Sequence, residues 1–98
     1  MIGIFNRTAQ LYDALANKTR LSILILLKAR DEMNLDDFTR YLEEVDTQNL
    51  GDHLGILEKA KLIRKELSTY FLTKEGRRRL TELGISKTEA LELTKERL

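Results

Sequence analysis

Few side chains in this sequence have reactive potential, and their spacing is poor for catalysis. The 98 residues include no cysteine and a single histidine, His53. Disulfides, thiolate metal sites and cysteine nucleophiles are excluded, and so is a zinc site built from several histidines. The adjacent carboxylates Asp36-Asp37 and Glu43-Glu44 diverge around a helix rather than converging on a shared proton. No glycine-rich phosphate loop or nucleophile motif occurs. No catalytic residue, metal ligand or cofactor is therefore expected. What remains suits recognition: the amides Gln48 and Asn49, the carboxylate Asp52, and cations gathered in blocks. A net charge of +1 conceals nine acidic and one basic residue over 31–58 (−8) and eight basic and two acidic over 59–79 (+6). A single charge run is ordinarily a solvated face, but a basic strip of this size is a candidate surface for a polyanion. Arg77-Arg78-Arg79, at the end of the strip, splay around a helix and read as solvated.

The scaffold for these groups must be helical. Leucine occurs nineteen times, isoleucine seven and valine once, and there is no proline. That is too little β-branching and turn punctuation for an all-β domain. With 42% apolar and 34% charged residues the chain reads as one folded domain, small enough that a partner or a dimer is expected. The longest apolar run, Ile23 to Leu27, cannot cross a bilayer and no signal peptide precedes it. A cytoplasmic chain without a membrane partner is expected.

Apolar positions Phe5, Ala9, Tyr12, Leu15 and Ala16 recur at helical spacing, predicting a first helix over 5–16. Asn17 caps a second over about 18–29, whose centre is apolar all round and belongs in the middle of the core. Met33-Asn34-Leu35 is strand-like. Asp36 or Asn34 then caps a short helix to about Glu43, and Asp46 after a tight turn caps a helix over about 47–60. Lys61 to Leu67 and Tyr70 to Thr73 predict a hairpin turning at Ser68-Thr69. Thr73 caps a helix that Gly84 ends, and Ser86 with Glu89 forms a capping box for the last helix.

Two short helices joined by a tight turn and followed by a hairpin describe a helix-turn-helix with a wing. The residues also resemble a known family. Ala14 to Leu27 (ALANKTRLSILILL) is similar to the opening of ArsR/MarR-like winged-helix regulators. Asn49 to Ile63 (NLGDHLGILEKAKLI) is similar to their recognition helix and first wing strand, and Tyr70 to Gly76 (YFLTKEG) to the second strand and the next helix start. The resemblance spans roughly residues 11 to 83. It implies a mainly α winged helix-turn-helix with a small β-hairpin. It further implies a homodimeric transcriptional regulator that sets its 47–60 helix in the major groove of double-stranded DNA. Among ArsR-type proteins, the absence of cysteine argues against the thiolate metal sensors.

On that helix, Leu50, Leu54 and Leu57 fall within an arc of about 60° and define the buried stripe. The opposite face presents Gln48, Asp52, Gly55 and Lys59, flanked by Asn49 and Ile56, with Thr47 and Gly51 in the first turns. Gln48 and Asn49 have the amide geometry to grip an adenine edge, and Asp52 could accept from a cytosine amine. Members of the family commonly carry basic residues near the positions of Asp52, Gly55 and Ile56, so weaker phosphate attraction is expected here. Gly51 and Gly55 each cost a helix about 1 kcal/mol relative to alanine. Close approach to a groove or another helix is the functional account of them; an incidental cost is the other. His53, beside the leucine stripe, reads as a partly buried, satisfied histidine, with a phosphate contact second. Arg64, Lys65, Ser68 and Thr69 would form the DNA-facing part of the wing. The wing core over 11–83 is complete in itself, so 1–10 and 85–98 are expected to dimerise through Ile2, Ile4, Phe5, Ile85, Leu91 and Leu98. A last helix folded onto its own domain is the alternative. The acidic 31–58 block and the exposed Ile56 leave a second function open: a winged-helix protein–protein interaction module with weak or no DNA binding. No effector ligand is identifiable.

Overall fold

The computed structural model describes the backbone of residues 2–42 and 47–95, and the side chains of residues 9–42 and 48–95. Within it the order is α1 (Ile2–Leu15), α2 (Lys18–Arg30), β1 (Glu32–Met33), α3 (Leu35–Tyr41) and α4 (Thr47–Lys59). There follow β2 (Ile63–Glu66), β3 (Thr69–Leu72), α5 (Lys74–Glu82) and α6 (Lys87–Thr94). The tight turn and the Asp46 cap lie outside the described residues, as do the side chains of Ile2, Ile4, Phe5, Thr47 and Leu98.

Local chemistry sets most boundaries. The Asn17 side chain accepts from the Arg20 amide at 3.0 Å and starts α2. Asn34, rather than Asp36, caps α3, and it exchanges hydrogen bonds with Asp37 in a full capping box. Thr73 caps α5 by accepting from the Gly76 amide. Ser86 accepts from the Glu89 amide to start α6. Helix α5 ends as a Schellman motif: Gly84 takes φ +80°, its amide bonds Thr81 O, and the Ile85 amide reaches back to Leu80 O. Helix α4 ends the same way with Lys61 at φ +62°, the Lys61 amide on Glu58 O and the Leu62 amide on Leu57 O. A lysine in that left-handed position is why β2 begins at Ile63 and not at Lys61.

Helix α2 is the hub. Ile23, Leu24, Leu26 and Leu27 are buried, and they meet Phe38 of α3, Leu50, Leu54 and Leu57 of α4, and Leu80 of α5 in one core. The strand expected over Met33-Asn34-Leu35 is instead Glu32–Met33, because Asn34 caps α3 and Leu35 begins it; it joins the hairpin, so the sheet has three antiparallel strands in the order β1-β3-β2. Met33 pairs with Tyr70, and Ile63 with Leu72. Tyr70 turns its ring edge-on to Phe38 at 6.0 Å, which closes the sheet over the helices. Gly76 is buried where the first turn of α5 meets Leu62, just before β2: a Cβ there would lie 2.2 Å from Leu62 O. Helix α6 packs along α2 with Ala90 fully buried. Ile85 is half-buried against the core, while Leu83, Leu91 and Leu93 are exposed.

Candidate nucleic-acid interface

Helix α4 is buried on one side and exposed on the other. Leu50, Leu54 and Leu57 are at most 1% exposed. Gln48, Asn49, Gly51, Asp52 and Lys59 are exposed on the other side, and Gly55 is half-buried. Among the described residues, a Cβ built on Gly51 or Gly55 would meet no atom within 4 Å. Packing against the described residues therefore does not demand the two glycines. Ile56 corrects the sequence reading. It is half-buried against the core, beside Gln10 and Asp13 of α1, and leaves the outward face to polar groups and glycine.

His53 is satisfied, and its partner is a residue that sequence reasoning missed. Arg20 is buried, its Nε donates to Ala14 O at 3.0 Å and its Nη2 to Asp13 O at 2.7 Å. Its Nη1 lies 3.1 Å from His53 Nδ1. A guanidinium can only donate, so Nδ1 accepts and the imidazole is neutral with its proton on Nε2. Partial burial, then the Arg20 charge, lowers the His53 pKa below its ordinary 6.5, against an opposing pull from Asp52. One guanidinium thus joins the end of α1, the start of α2 and the middle of α4, which fixes the angle of α4 against the body. A signal existed: Arg20 sits in register with Ile23, Leu24 and Leu27 on the buried stripe of α2, where a charge requires partners.

The wing is β2, β3 and the loop between them. Glu66 pairs with Thr69, so the loop is Leu67-Ser68, one residue earlier than Ser68-Thr69. Ser68 therefore stands at the tip, while Thr69 opens β3 and is half-buried. Leu67, at the first loop position, has φ +56° and is 98% exposed. Arg64 and Lys65 are exposed but engaged. Arg64 pairs with Glu66 and lies 4.4 Å over its cross-strand neighbour Phe71; Lys65 lies 5.6 Å from the Tyr70 ring. At the start of α5, Glu75 holds Arg78 at 2.8 Å and Arg79 at 2.9 Å, and Arg79 also reaches Glu82. The hydrogen bond from Arg78, with the charge of both arginines, lowers the Glu75 pKa. These arginines are a self-neutralised helix surface, as their splay suggests. Among the described residues no group of three metal-ligating side chains converges, and no helix is long and apolar enough to cross a membrane.

A helical core whose α3–α4 pair is followed by a hairpin packed against α4 is a winged helix-turn-helix. Residues 15–66 match the family described as helix-turn-helix domain, and the chain belongs to that family. HlyU from Vibrio cholerae N16961 is a similar solved structure: TM-score 0.66 and 29% identity, covering 87% of this chain and 95% of that one. The crystal structure of an ArsR family transcriptional regulator aligns with TM-score 0.62 at 19% identity, covering 89% of this chain and 92% of that one. No curated protein sequence matches. The fold is thus that of an ArsR-like winged helix, a DNA-binding class rather than an enzyme class.

Proposed function

We propose that the chain is a sequence-specific, homodimeric transcriptional regulator that seats α4 in the major groove of double-stranded DNA. The carrying observation is the asymmetry of α4. Its leucine face is sealed in the core, and the opposite face is polar and unobstructed at Gly51 and Gly55. Gln48 and Asn49 read base edges near the start of the helix, with Asp52 as an acceptor one turn on. Lys59 and the first turn at Thr47 meet phosphate. In the wing, Arg64, Lys65, Ser68 and Thr69 follow the backbone. Because Arg64 and Lys65 are already held by Glu66 and two rings, they contribute less charge than their number suggests. Base-edge contacts consequently carry more of the discrimination than phosphate attraction does.

Titration of the protein against a random-sequence fluorescent duplex at about 50 and 200 mM salt tests the reading. Binding that weakens with salt by a few phosphate contacts' worth is expected. No binding at the lower salt would refute it. The acidic block at 31–58 would then favour a protein-binding winged helix.

A further inference from the structure

The bond between Arg20 and His53 ties α4 to the body of the domain, and a single proton would break it. The leucine stripe of α4 packs without strong directional preference, whereas a hydrogen bond holds its partners to a narrow range of angles. Arg20 has little freedom to adjust. It is 7% exposed, its Nε is committed to Ala14 O and its Nη2 to Asp13 O, and its own amide is taken by the Asn17 cap. Only Nη1 reaches across to α4, where His53 Nδ1 lies at 3.1 Å. A proton on Nδ1 would set N–H against N–H, and one cation against another, at that distance. The arginine is buried and pinned, so the half-buried imidazole and the helix that carries it have to give way. The charges that bear on the ring come from two elements. Arg20 of α2 adds to burial in disfavouring the proton, and Asp52, beside His53 on α4, favours it. From α1, Asp13 holds the guanidinium through its backbone carbonyl.

We propose that Arg20 is a positioning residue for DNA binding, and that protonation of His53 releases α4 from it, so that affinity for duplex falls in acid. The proposal rests on the DNA-binding reading above and adds a proton as an antagonist of the same helix. Its sign is distinctive. An imidazolium that merely faced phosphate would strengthen binding in acid, as added positive charge does. A proton that competes with the braced helix weakens binding instead. By reciprocity, DNA then makes His53 harder to protonate.

The test titrates wild type and His53→Gln against one fluorescent random-sequence duplex at fixed salt, at about pH 7.5 and about pH 5, on either side of the imidazole range. Circular dichroism checks the fold at both. Glutamine can accept from Arg20 through its amide oxygen but does not titrate, so the variant should bind as wild type does at the higher pH. On acidification the wild-type Kd is expected to rise about fivefold or more relative to that of His53→Gln, the lower end of ordinary coupling between two sites. A second measurement needs no variant. His53 is the sole histidine, so its ring-proton NMR signals report its titration directly, and its midpoint should be lower with duplex than without. Matching pH profiles for the two proteins, or a midpoint that duplex raises or leaves unchanged, overturns the proposal and leaves DNA binding intact. A wild-type protein that binds no duplex at either pH overturns the DNA-binding reading and this proposal together.

Discussion

Alanine at Gly51 and Gly55 should move stability and DNA affinity in opposite directions. Glycine inside a helix costs about 1 kcal/mol relative to alanine, because the unfolded chain loses more freedom. The full gain is realised only where a new methyl group has room, and among the described residues neither Cβ would meet an atom within 4 Å. Each substitution should therefore stabilise by about 1 kcal/mol, and the pair by about 2 kcal/mol, since the two methyls stand one turn apart without a shared neighbour. In a domain of this size that corresponds to a Tm rise of about 4–8 °C for each change. If α4 presses into a groove, the same methyls hold the helix off the base edges. Affinity for duplex should then fall about tenfold for the pair, the equivalent of roughly 1.4 kcal/mol. Thermal unfolding followed by circular dichroism gives the first number and fluorescence anisotropy the second. A lower Tm would show that the space is filled. A higher Tm with wild-type Kd would show that this face does not touch DNA, and the glycines would be an incidental cost.

Gly76→Ala is the counter-case: its Cβ would lie 2.2 Å from Leu62 O, so a urea midpoint lower by roughly 1–3 kcal/mol equivalent is expected, where Gly51→Ala raises it. His53 makes stability pH-dependent. Its pKa is lowered in the folded protein, so the unfolded chain binds the proton more readily. The His53 contribution is then complete above about pH 6.5 and declines as pH falls through 6.5 towards the folded value. Urea unfolding at several pH values should show this decline, and His53→Gln should flatten it; identical profiles would refute the Arg20–His53 account. The protein should scatter light as a dimer at twice 11.4 kDa, with Leu91→Glu combined with Leu93→Glu yielding monomer, because both leucines stay exposed on either side of the stripe that seats α6 on α2. A monomeric wild type at micromolar concentration would end the dimer reading.

Much of the fold is legible in the sequence because capping and periodicity are local. Asn17, Thr73 and Gly84 act within three or four residues of themselves, and the Leu50–Leu54–Leu57 stripe needs only the helical repeat. The illegible parts are contacts between distant segments. Arg20 meets His53 across 33 positions, and β1 is two residues long and exists only by pairing with β3. Gly76 reads as an ordinary first-turn residue until the Leu62 carbonyl is placed above it.

The wing shows how such a contact outvotes a local signal. A turn at Ser68-Thr69 would set Lys65 opposite Leu72, at the buried base of the hairpin. Moving the turn back one residue sets Ile63 there instead, and both Ile63 and Leu72 are buried. Lys65 moves opposite Tyr70, where the side chain stays exposed and its ammonium lies 5.6 Å from the ring. Burial of one isoleucine side chain is worth about 1.5–3 kcal/mol, and a left-handed residue costs about 1–2 kcal/mol. The register that buries Ile63 therefore wins even though it forces position 67 into positive φ. That reasoning requires a residue in the turn at 67. It does not require leucine at φ +56°, where glycine or asparagine would serve better.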